Sequence, residues 1–360
     1  MSNRFLDRIE KLRLLFPENK IDCLFISKPE DVSYFTGTKG DDLFLFITNS
    51  NQYLITDFRY KELAQSINWF SFFETDLYHS VVDLIVNTPE KRIGVCRNSL
   101  KLDTYLKFKE LLVDKEIVTI GDAEYNIVNE LRAIKDDEEI QFTKIAEEIG
   151  SEAFRYILGF ITPGMTEKNV ALALENYMLN HGADGISFDT ICISGTKTSM
   201  PHGVPDSNVI KNGDFVTMDY GCTYKGYHSD MTRTIGIGSV TDEMKNIYGI
   251  VLESQKIACN NIKAGLKGDV CHHFALDYIE KMGFGQYFGH GLGHGTGLEI
   301  HEAPRLSLSY KKEIPVNSIV SIEPGIYIPR KFGVRIEDLA VVKENGIINL
   351  TSAPKELIII

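Results

Sequence analysis

The chain has 360 residues, with 38 Lys and Arg against 50 Asp and Glu and a formal net charge of −12 at pH 7. This acid excess argues against a nucleic-acid partner, because phosphate backbones are bound by clustered cations. At roughly 150 residues per domain the length predicts two domains, each able to bury its own core; 43% hydrophobic and 24% charged residues exclude disordered, collagenous and coiled-coil chains.

The opening MSNRFLDRIEKLRLLF mixes charges of both signs into an amphipathic pattern, so no signal peptide is expected. No segment reaches the roughly 18 uncharged apolar residues of a membrane span. Cys23, Cys96, Cys192, Cys222, Cys259 and Cys271 are scattered without a C-x-x-C pair, which predicts buried thiols in a reducing cytoplasm and no disulfide or zinc framework. Apolar runs at 21–26, 43–47, 53–55 and 93–96 have strand length and turn residues between them, and a helical stretch at 59–65 alternates with them. A small α/β domain is therefore expected over 1–124, with the boundary near residue 124. A charged helical segment is expected over 130–160, with apolar residues at Ile140, Ile145, Ile149, Phe154 and Ile157.

Beyond 125 the pattern changes to α+β. Thr166 is a predicted N-cap for a helix ending at Asn180-His181-Gly182, and Thr241 and Asp269 begin two more. Between the helices, 215–221, 232–237, 318–324 and 334–342 alternate with period two and read as strands. On these strands Asp219, Glu323 and Glu337 each stand opposite an apolar face, and Asp230 follows closely after the first. Any one strand-end acid is best read as an exposed cap. Four beside a histidine cluster are different, because converging carboxylates stay ionised in a partly buried site only if cations neutralise them. That cluster is GHGLGHGTGLEIHE, with His290, His294 and His301 among five glycines. No phosphate-loop register fits it, position 305 is Arg and so breaks H-E-x-x-H, and the chain has no G-x-S-x-G elbow.

Taken in order and spacing, PHGVPDSNVIKNGDFVTMDYGCTYKGYHSDMTRT, GHGLGHGTGLEIHEAPR, SIEPGIYIP and GVRIED resemble the methionine aminopeptidase, aminopeptidase P, prolidase and creatinase family over about 125–360. SYFTG and LITDFRYKELA are similar to the smaller creatinase-type domain of aminopeptidase P and prolidase. The resemblance implies a pita-bread catalytic fold and two divalent metal ions held by Asp219, Asp230, His294, Glu323 and Glu337, with Asp230 and Glu337 bridging. Four carboxylates and one imidazole form a hard donor set that suits Mn²⁺, with Co²⁺, Zn²⁺ or Fe²⁺ as alternatives. It further implies Glu323 as proton acceptor and relay. His202 and His301 would hydrogen-bond substrate and oxyanion, and His290 would line the pocket. Arg335, two residues before Glu337 on one strand face, is expected to orient that bridging carboxylate more than to touch substrate.

The implied activity is hydrolysis of the bond before proline. An Xaa-Pro dipeptidase must recognise the free proline carboxylate, and Arg305 stands where similar prolidases carry such an arginine. The dipeptidase is therefore preferred, with aminopeptidase P acting on longer peptides as the alternative. A non-catalytic pita-bread binding protein and a metal-free creatinase are disfavoured because the full ligand set is present. The His272-His273 pair is read as ordinary helix histidines. A homodimer is expected from the resemblance.

Overall fold

The structure, a computed structural model, describes residues 4–75, 79–122 and 125–360. The chain divides into two compact units, Met1–Arg132 and Ala133–Ile360. The boundary expected near residue 124 falls on 123–124, outside the described residues.

In the first unit the short apolar runs form one six-stranded mixed sheet. Its strands are β1 (Cys23–Ile26), β2 (Phe44–Thr48), β3 (Gln52–Thr56), β4 (Ser71–Glu74), β5 (Arg92–Cys96) and β6 (Glu116–Ile120), in the order β4-β3-β2-β1-β5-β6. The central β1 is buried at all four residues, as a continuous apolar run in a covered sheet should be. Helices α1 (Arg4–Leu14), α2 (Pro29–Thr36), α3 (Lys61–Ser66), α4 (His79–Val86), α5 (Leu102–Leu111) and α6 (Ile127–Arg132) complete it.

The second unit is α+β. Its helices are α7 (Asp137–Phe160), α8 (Glu167–Asn180), α9 (Asp242–Asn261) and α10 (Gly268–Lys281). Strands β7 (Gly185–Ile186), β8 (Ile191–Ser194), β9 (Phe215–Tyr220), β10 (Cys222–Tyr224), β11 (Tyr227–His228) and β12 (Met231–Gly236) make two three-stranded sheets, β11-β10-β7 and β12-β9-β8. After them come β13 (Gly293–Gly295), β14 (Glu302–Leu306), β15 (Ile319–Ile322), β16 (Gly325–Ile328), β17 (Phe332–Arg335), β18 (Asp338–Lys343) and β19 (Gly346–Asn349). These form the sheet β14-β13-β15-β18-β19 and the hairpin β16-β17. Apolar residues of α7 and α8 pack on β8, β9 and β12, and those of α9 and α10 on the five-stranded sheet. Two helix-backed sheets thus supply the walls of the site.

The N-caps expected at Thr166 and Thr241 are present, each hydroxyl accepting a backbone N–H of the first turn. The third helix starts at Gly268 and not at Asp269. Two expected continuous elements are broken. The 130–160 helix divides into α6 and α7 because Asp136 stays extended and caps α7. Its carboxylate accepts the Glu139 N–H at 2.9 Å while the Glu139 carboxylate accepts the Asp136 N–H at 2.9 Å. The 334–342 strand divides between Arg335 and Asp338, since β17 pairs with β16 while β18 pairs with β15 and β19. Among the described residues no helix is long and apolar enough to cross a membrane. All six cysteines are free, five of them buried and Cys259 half-buried.

Candidate metal centre

Each candidate ligand lies on a strand or immediately beside one. Asp219 is near the end of β9, Asp230 immediately precedes β12, and His294 is in the middle of β13. Glu323 occupies the gap between β15 and β16, and Glu337 the gap between β17 and β18. Gly293 lets β13 approach β15 closely, since a Cβ there would lie 1.9 Å from the Ser321 carbonyl oxygen.

Ligand atoms of Asp230, His294 and Glu337, all three buried, lie within 4.8 Å of one another. His294 Nε2 is 3.4 Å from Asp230 Oδ2 and 3.4 Å from Glu323 Oε1. The other ring nitrogen, Nδ1, is 3.1 Å from the Gly295 carbonyl oxygen. A carbonyl only accepts, so Nδ1 carries the proton and the Nε2 lone pair faces the carboxylates. Asp219 stands directly across the β9/β12 ladder from Thr232, whose hydroxyl donates to Glu337 Oε2 at 2.6 Å. Ser321 ties two further candidates together: its hydroxyl donates to Glu323 Oε1 at 3.2 Å and accepts the His294 N–H at 3.0 Å.

The electrostatics of the cluster are those of crowded, desolvated acids. Burial pushes the Asp230 carboxyl well above the usual range, with Glu337, Asp219 and Glu323 adding to the rise. Glu337 is raised well above the usual range by burial and then by Glu323 and Asp219. Glu323 is pushed up to about 8, chiefly by burial, with Arg335 opposing and Asp219 reinforcing the rise. His294 is held down to about 3 by burial and then by His301, so its imidazole is neutral at pH 7. Two buried carboxylate oxygens of the cluster, Asp219 Oδ1 and Glu337 Oε1, have no hydrogen-bond partner among the described residues. Such orphans are costly unless something positive fills the space between them. An oxygen-rich donor set with one imidazole lone pair fits divalent cations.

Arg335 is buried, but the carboxylate it meets is Asp219. Its Nη2 donates to Asp219 Oδ2 at 2.5 Å, its Nε to Thr232 Oγ1 at 3.0 Å and its Nη1 to Tyr327 Oη at 2.8 Å. It reaches Glu337 through the Thr232 hydroxyl, which accepts from Arg335 Nε and donates to Glu337 Oε2. His290 places Nδ1 2.7 Å from the Gly291 carbonyl and Nε2 3.0 Å from Tyr327 Oη. Both ring nitrogens are thereby engaged, and the ring meets Phe288 edge to face at 5.1 Å. Burial and then Arg335 lower its pKa to about 4. His301 sits edge to face on His294 at 4.3 Å, and its pKa is lowered by desolvation and then by Arg305.

His202 is exposed on the loop after the 3₁₀ turn Gly195–Ser199, and is near enough to His290 and His301 to contribute to the lowering of both. Arg305 is half-buried and directly opposite His294 on the neighbouring strand β14. Thr232, Ser321 and Tyr327 lie inside the same motifs, but a hydroxyl in a strand carries no signal in the sequence that sets it apart from a surface residue. His272 remains outside the cluster, its Nδ1 accepting the Leu292 N–H at 3.0 Å.

Residues 141–344 match the model of metallopeptidase family M24, and residues 8–134 that of the creatinase/prolidase N-terminal domain. The chain is 37% identical to the Xaa-Pro dipeptidase of Pyrococcus furiosus, over 98% of this chain and 99% of that protein. Among solved structures it is similar to an Xaa-Pro dipeptidase from Bacillus anthracis, with TM-score 0.95, 40% identity and coverage of 99% of this chain and 100% of that one. It is also similar to an X-Pro aminopeptidase from Thermotoga maritima, with TM-score 0.88, 35% identity and coverage of 98% and 99%. With a creatinase/prolidase N-terminal domain ahead of an α+β pita-bread catalytic unit, this chain belongs to metallopeptidase family M24.

Proposed function

We propose that this chain is an Xaa-Pro dipeptidase whose metal pair is held by Asp219, Asp230, His294, Glu323 and Glu337, with Mn²⁺ as the working ion. The observation that carries the dipeptidase reading is the position of Arg305, paired across the sheet with His294. A guanidinium one strand away from a candidate ligand is within reach of a short substrate's terminal carboxylate, which it can pair in bidentate fashion. The dipeptidases from Pyrococcus furiosus and Bacillus anthracis support the same reading.

When bound, the divalent pair supplies Lewis acidity, polarising the scissile carbonyl and acidifying the attacking water. Glu323 accepts the proton of that water at its carboxylate and delivers it to the prolyl nitrogen as the bond breaks. His301 and His202 donate hydrogen bonds to substrate and to the developing oxyanion. His290, with both nitrogens committed to Gly291 and Tyr327, offers the substrate a ring face against which an apolar pyrrolidine packs. Arg335 holds Asp219 in place and leaves the substrate to the histidines and Arg305.

The same reading keeps a creatinase-type domain over 1–124 and a catalytic domain over 125–360. A cytoplasmic homodimer completes the proposal; free cysteines fit a reducing compartment, and light scattering measures the assembly. To test the activity, chelator-treated protein is reloaded with Mn²⁺ or Co²⁺ and offered an Xaa-Pro dipeptide and an Xaa-Pro-Xaa tripeptide. Activity is expected only after reloading, with the higher kcat/KM on the dipeptide. Higher kcat/KM on the tripeptide makes the chain an aminopeptidase P, and full activity in metal-free protein rejects the metal mechanism.

A further inference from the structure

Glu147 lies within α7 and is fully buried, yet it is not among the candidate ligands. Both of its carboxylate oxygens are used. Oε2 accepts the backbone N–H of Asp230 at 3.2 Å, and Oε1 accepts the Thr351 hydroxyl at 2.6 Å. The Thr351 oxygen in turn accepts the Leu339 N–H at 2.9 Å, two residues beyond Glu337. A continuous hydrogen-bonded path therefore joins the peptide that carries Asp230 to the strand that begins just after Glu337.

A second tie runs between the same two segments. Thr232 donates its hydroxyl to Glu337 Oε2 and accepts the Glu337 N–H at 3.1 Å on its carbonyl. The buried Arg233 donates to the carbonyl oxygens of both Thr232 and Glu337. Burying a carboxylate such as Glu147 costs more than filling the same space with an apolar side chain. Stability alone therefore does not account for it. What a carboxyl gives here is a fixed acceptor for one particular N–H, that of Asp230.

We propose that Glu147 and Thr351 form a brace that sets the spacing of Asp230 and Glu337 and thereby the affinity for the metal pair, Glu147 being a positioning residue and not a ligand. This inference rests on the reading that those two acids share the metals. Their carboxylates repel each other before cations arrive, so without the brace the two peptides relax apart and bound cations must draw them together again. Groups that orient ligands in this way change metal affinity even though they never touch the ion.

The test is a calorimetric titration of the full-length, metal-stripped chain with Mn²⁺ alone. Wild type is expected to bind two ions per chain. Thr351→Val, which keeps the shape and loses the hydroxyl, is expected to weaken binding by about tenfold or more, as is Glu147→Leu. Thr351→Ser and Glu147→Gln, which keep a hydroxyl or an acceptor, are expected to retain most of the affinity. At saturating Mn²⁺ the KM of Thr351→Val should match wild type, because no substrate contact has been removed. Thr351→Val that binds two ions with wild-type affinity overturns the brace while leaving the metal site intact. Wild type that binds no Mn²⁺ overturns the metal site and the brace together. Should Glu147→Leu fail to fold, Thr351→Val against Thr351→Ser decides the question.

Discussion

Asp219 Oδ1 and Glu337 Oε1 are acceptors sealed from water with no donor among the described residues, an arrangement that a cation would satisfy. Asp230→Ala is accordingly expected to abolish both metal binding and hydrolysis, as atomic absorption and an Xaa-Pro assay would register. A variant that still holds two ions per chain would remove Asp230 from its bridging role. Arg305→Ala is expected to cut kcat/KM for the dipeptide by about tenfold or more, the scale of a lost charge-assisted pair, while sparing the tripeptide. Equal effects on both substrates would sink the carboxylate role. At this scale the chemistry-bearing residues were legible because an acid or histidine inside an apolar alternation is conspicuous. Their hydroxyl partners were not, since a threonine such as Thr232 is common in strands and its partner, Glu337, lies more than a hundred positions away. Arg335 marks the limit of the two-residue rule. Two positions from Glu337, its guanidinium meets Asp219 directly and reaches Glu337 only through the Thr232 hydroxyl.

Among the elements, helices announced by caps were read closely and strands interrupted by function were not. Thr166 and Thr241 terminate their helices through local hydrogen bonds within a few residues, so nothing distant is needed to see them. The Asp136 capping box is equally local, but an acid in a charged stretch looks like one more surface residue. Asp136→Ala is expected to lower stability by about 1 kcal/mol, the usual worth of a cap, in a urea titration and with kcat unchanged. Gly293 has the opposite character: a methyl group there collides with the Ser321 backbone and pushes β13 off β15. Gly293→Ala is expected to weaken Mn²⁺ binding and to destabilise by at least about 2 kcal/mol, because Ser321 fixes both the His294 amide and Glu323. A variant with native unfolding midpoint and metal affinity would show that the close approach does not matter.

Over the whole molecule, the crowded carboxylates make stability depend on pH and metal together. Glu323 in the folded, metal-free chain ionises near pH 8 against an ordinary 4.5, and Asp230 and Glu337 are raised as well. Groups raised in the folded state contribute stability that is present at low pH and lost as pH climbs through the folded value. The depressed histidines, His290 and His294, act in the opposite sense but only below the ordinary 6.5. Between about pH 6.5 and 8 the carboxylates act alone. The melting temperature of chelated protein should therefore fall across that window, and the gain on adding Mn²⁺ should widen; a flat or rising profile without metal would contradict the crowding. The same architecture bears on how the chain is made. Every strand of the first sheet has emerged once residue 120 is out of the ribosome, so that sheet can fold while synthesis continues. The catalytic unit has no such head start, for its candidate ligands are scattered from Asp219 to Glu337 and the hydroxyl proposed to brace two of them is at Thr351. A nascent chain stalled at residue 345 already carries all five candidate ligands but lacks the Thr351–Glu147 hydrogen bond proposed to space two of them, so metal capture is expected to wait until Thr351 has emerged.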